Sequence, residues 1–101
     1  MSPESAELKR QRELAQRQLI DFLQADLDLA FTMLQTAEIA SDPAHTRSAL
    51  RHVSEALATI RQLLGRVEDP KAWKAIHEQA NELEKELESF RDGDENRTNQ
   101  E

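Results

Sequence analysis

The 101-residue chain has no cysteine and no tyrosine, and only two glycines and three prolines. Without cysteine there can be no disulfide, no thiolate nucleophile and no cysteine-ligated zinc, and cysteine usage then leaves the redox compartment undetermined. So few turn formers and so few aromatic residues (4%) exclude a sheet protein and leave little to build a base-stacking platform. No apolar run approaches the roughly 20 residues of a membrane span. No charged-then-apolar leader opens the chain, so the expectation is a cytoplasmic protein without a membrane span. Positive charge is the minority: 13 Lys and Arg against 20 Asp and Glu give a formal net charge of −7. That balance disfavours a general binder of nucleic acid or of anionic membrane.

What is present is helix material. Ala, Leu, Glu, Gln and Arg dominate, and all but two of the 22 Leu, Ile, Val and Phe residues fall between Leu19 and Phe90. A core is therefore expected there, in a single domain.

Three helices are predicted, over about 3–40, 43–67 and 70–91. Ser2 and Pro3 suit a helix start, and Ser41-Asp42-Pro43 and Asp69-Pro70 each end one helix and cap the next. In the first helix, apolar residues from Leu19 to Ala37 fill more than half of the circumference, a stripe broad enough for two neighbours. The second helix carries Leu50, Val53, Leu57, Ile60, Leu64 and Val67 on one stripe, with Gly65 marking either fraying or a close approach. The third carries the narrow seam Trp73, Ile76, Ala80, Leu83, Leu87 and Phe90. Asp92-Gly93-Asp94 is expected to break it, leaving residues 92–101, which lack any apolar side chain, as a disordered acidic tail.

Short connections then give an all-α, up-down-up antiparallel three-helix bundle. Residues 5–18 are predicted to overhang it, because the end of the second helix meets the first near Gln18. Segment charges agree with this: Leu19 to Asp42 has five acids and no base, Pro43 to Val67 four bases and one acid, and Glu68 onward eleven acids and five bases.

Few residues suggest chemistry. Asp26 lies within the apolar arc of the first helix, level with Arg61 and His77, which predicts a buried Asp26–Arg61–His77 polar cluster that fixes register. His45 and His52 are seven residues apart, about 10 Å along a helix, too far to share one metal ion. Asp92-Gly93-Asp94-Glu95-Asn96 has the opening spacing of a calcium loop, but Arg97 stands where glycine is required. No catalytic, metal or cofactor residue is assigned.

The expected function is that of a non-catalytic interaction protein. Helix one would bind a second copy, as a dimer, or another helical protein, through Leu8, Ala15, Leu19, Phe22 and Leu29, with Trp73 as an anchor at the same end. The alternative is a small regulator that contacts nucleic acid or an anionic surface through Lys9, Arg10, Arg12 and Arg17.

Overall fold

The computed structural model describes the backbone of residues 3–99 and the side chains of residues 5–91. It is all-helical there: α1 (Pro3–Ile39), α2 (Pro43–Leu64) and α3 (Pro70–Asn99) pack as an up-down-up bundle. The rod measures 71 × 21 × 16 Å.

Both Asp-Pro junctions work as the sequence predicts. Asp42 adopts an extended conformation (φ −94°, ψ 116°), its carboxylate accepts from the Ala44 amide at 3.0 Å, and Pro43 opens α2. An N-cap of this kind is worth about 1 kcal/mol. At the next junction the Asp69 carboxylate accepts from the Ala72 amide at 3.3 Å, and its carbonyl starts α3 by accepting from Trp73 at 2.9 Å.

Two helix ends differ from expectation. α2 stops at Leu64, short of Val67, and tightens into i→i+3 bonds from Arg66 to the Leu63 carbonyl and from Val67 to that of Leu64. Gly65 sits in the ordinary right-handed region (φ −61°, ψ −16°). A β-carbon there would meet only the Gln62 carbonyl oxygen, at 3.7 Å, so no close approach requires this glycine. α3, for its part, runs through Gly93 to Asn99. Gly costs a helix roughly 1 kcal/mol and lacks proline's clash, so Asp92-Gly93-Asp94 does not stop it. The side chains of the acidic tail lie outside the described residues.

The core follows the predicted stripes. Leu23, Leu27, Ala30 and Leu34 of α1 meet Val53, Leu57, Ile60 and Leu64 of α2 and Ile76, Ala80, Leu83 and Leu87 of α3. Among the described side chains none that is polar or charged is buried. The broad arc of α1 is used only in part: Leu19, Ile20, Phe31 and Met33 are half-buried against the core, while Phe22 and Leu29 remain 50% and 57% exposed.

Candidate docking face on the first helix

The overhang is shorter than the sequence suggests. Gln16 donates to the Arg66 carbonyl at 2.9 Å and accepts from the Glu68 amide at 3.0 Å, so one side-chain amide ties α1 to the α2–α3 connection. One turn earlier, Arg12 Nη2 lies 2.6 Å from Glu68 Oε1 and Nε 3.2 Å from it. That hydrogen bond, reinforced by the Glu68 charge, raises the Arg12 guanidinium above its ordinary pKa. Helix α1 projects past this bridge, and its residues 6–11 are exposed.

These contacts also disperse the basic cluster. Lys9, Arg12 and Arg17 line an open groove of about 590 Å³, but Glu13, Glu68 and Asp69 line it with them, and Arg10 is absent from its wall. Three cations and three carboxylates give no net attraction for a phosphate, and Arg12 already has its anion.

The predicted Asp26–Arg61–His77 cluster does not form. Arg61 Nη2 bonds Glu84 Oε2 at 2.8 Å and Asn81 Oδ1 at 3.1 Å, both on α3. The sequence places the three at about one level, but the Gln24–Gln79 pairing sets Asp26 about a turn beyond His77, and the rotation of each helix separates them further. Gln24 makes a reciprocal amide pair with Gln79 of α3, at 2.8 and 3.0 Å, and so marks the side of α1 that faces α3. Asp26, two residues on, is turned about 200° away from that side. It is half-buried, and no hydrogen bond or ion pair reaches it among the described residues. His77 stacks on Trp73, with ring centroids 4.6 Å apart and planes 16° apart. Only α2–α3 carries a salt bridge directly between two helices among the described residues.

The six candidate interface residues separate into three groups. Leu19 packs against the core. Trp73, 40% exposed, lies eleven residues before Glu84 and so on the same side of α3, toward α2 and away from the α1 surface. Leu8, Ala15, Phe22 and Leu29 share one exposed line of α1, seven residues apart. Beside it runs a second exposed line, Gln11, Gln18, Ala25 and Thr32, continued by Thr36.

Together the two lines form a strip about 42 Å long, at 1.5 Å per residue. In a chain that is 33% charged, none of these nine positions carries a charge. Thr32 and Thr36 donate their hydroxyls to the carbonyls of Asp28 and Thr32, at 3.0 and 2.9 Å, so covering the strip would strand neither donor. A seven-residue repeat drifts about 20° per heptad around a straight helix, the path that a left-handed supercoil with one further helix follows.

No group of three or more His, Asp or Glu side chains placed to hold a metal ion occurs among the described residues. No helix is long and apolar enough to cross a membrane among the residues searched. Compared with protein-family models, curated proteins and solved structures, the chain matches none.

Proposed function

We propose that the chain is a non-catalytic helical interaction module that docks another helix along the outer face of α1. The observation that carries this reading is the strip itself: Leu8, Phe22 and Leu29 are 66%, 50% and 57% exposed on a continuous surface without charge. Charge depletion with aromatic and aliphatic anchors distinguishes the centre of an interface from ordinary surface. Gln11 and Gln18 within the heptad pattern limit the seam's strength and fix its register.

The double variant Phe22→Ser/Leu29→Ser separates docking from folding. Each truncation removes a side chain that is about half exposed and costs about 1 kcal/mol. The variant should therefore keep its helix content and lose about 2 kcal/mol, while any self-association or helix binding disappears. A loss of more than about 4 kcal/mol would assign these side chains to the bundle's own packing, and the docking reading would fall. Light scattering behind size exclusion shows whether a second copy supplies the docked helix.

A further inference from the structure

Resting on that docking reading, we infer that the strip receives a basic amphipathic helix from another protein, with a Lys or Arg set over Asp26. The carboxylate of half-buried Asp26 has no polar partner among the described residues, because Arg61 is held by Glu84 and Asn81 on the far side of α2. A carboxylate beside apolar surface loses hydration when that surface is covered, a loss offset only if the covering helix brings a cation.

The borders of the strip ask for the same charge. Asp21 and Asp28 follow its outer edge one heptad apart, and Asp26 stands on its inner edge. From Leu19 to Ile39 the helix has no Lys or Arg to balance them. Arg66 is level with Gln16, so the cationic requirement falls on the part of the partner above residues 21–28.

The same three carboxylates argue against a second copy. Laying α1 against α1 parallel and in register sets the acidic middle of one helix beside that of the other, and like charges brought together at an interface oppose association.

The test uses two labelled synthetic helices about three heptads long, with identical apolar residues and either Lys or Glu at every flanking position. Each is titrated with the full chain and followed by fluorescence anisotropy. The Lys peptide should bind at least about tenfold more tightly than the Glu peptide and weaken as NaCl is added. Asp26→Asn should cost about tenfold toward the Lys peptide, and little toward a peptide whose central Lys is replaced by Gln. Equal binding of the Lys and Glu peptides, or no effect of Asp26→Asn, refutes the basic partner and leaves the docking face standing. A chain that dimerises, and becomes monomeric as Phe22→Ser/Leu29→Ser, assigns the face to a second copy and likewise refutes it. A monomeric chain that binds neither peptide overturns both readings.

Discussion

Leu27 and Leu29 are the same residue type, two positions apart on the same helix, with opposite surroundings. Leu27 is 0% exposed within the core, whereas Leu29 is 57% exposed on the outer strip. Replacing Leu27 by Ala removes three buried carbons. At about 0.8 kcal/mol each the transfer loss is about 2.4 kcal/mol. The cavity left behind brings the cost toward 3–4 kcal/mol, within the roughly 2–5 kcal/mol observed for such truncations. Leu29→Ala loses less than half of that transfer energy, about 1 kcal/mol, part of it returned by alanine's higher helix propensity. The two variants should therefore differ by at least about 2 kcal/mol. Urea denaturation followed by helical circular dichroism measures the difference directly, and the m-values confirm that both variants unfold from the same compact state. Equal costs would mean that α1 does not present the Leu27 side to the core. A reversed order would mean that the helix is rotated, and the docking face would be misassigned with it.

Gly65→Ala should stabilise the fold by about 0.4–1 kcal/mol, since the site is right-handed and the new methyl group makes only an ordinary van der Waals contact; a fall in melting temperature would contradict that geometry. Asp42→Ala should cost about 1 kcal/mol through loss of the α2 cap, and Asp42→Asn much less, by the same denaturation assay. A double-mutant cycle on Arg61 and Glu84 should give a coupling of no more than about 1 kcal/mol that shrinks with salt, because both side chains are partly exposed. Gln16→Ala should speed hydrogen exchange at the Glu68 amide and cost about 1 kcal/mol, as water replaces one splinting amide.

Much of the bundle is legible in the sequence because proline and apolar spacing are unambiguous local signals. Pro43 and Pro70 mark two helix starts, and the stripes from Val53 to Val67 and from Ile76 to Leu87 are the observed core. Antiparallel bookkeeping also brings the end of α2 to α1 close to where Gln16 meets Arg66 and Glu68. Level along the bundle, however, is only half of an address. That bookkeeping sets Asp26, Arg61 and His77 level to within about a turn, yet the rotation of each helix sends Arg61 toward Glu84 and turns Asp26 away from α3. Rotation is set by side-chain packing across all three seams, which one helix's periodicity does not contain. The Gln24–Gln79 pair and the Gln16 splint escape sequence reading for a related reason. Glutamine is common on solvated helices, and only a partner from a distant segment distinguishes these three. The strip on α1 is readable in part through its seven-residue spacing; the exposure of Phe22 and Leu29 is not, since the same residues could have met a neighbouring helix.

The elongation of the rod bears on how the molecule moves through a solvent. Its radius of gyration of 18.1 Å exceeds the roughly 13 Å of a compact chain of this length. A monomer with these dimensions experiences more friction than a sphere of its mass. It will elute from a gel-filtration column ahead of its 11.6 kDa and sediment slowly. Its tumbling is anisotropic, so amides aligned with the long axis relax differently in NMR from those set across it. A globular calibration curve would therefore overstate the mass of one copy, whereas scattered intensity, which depends on mass rather than friction, reports it correctly.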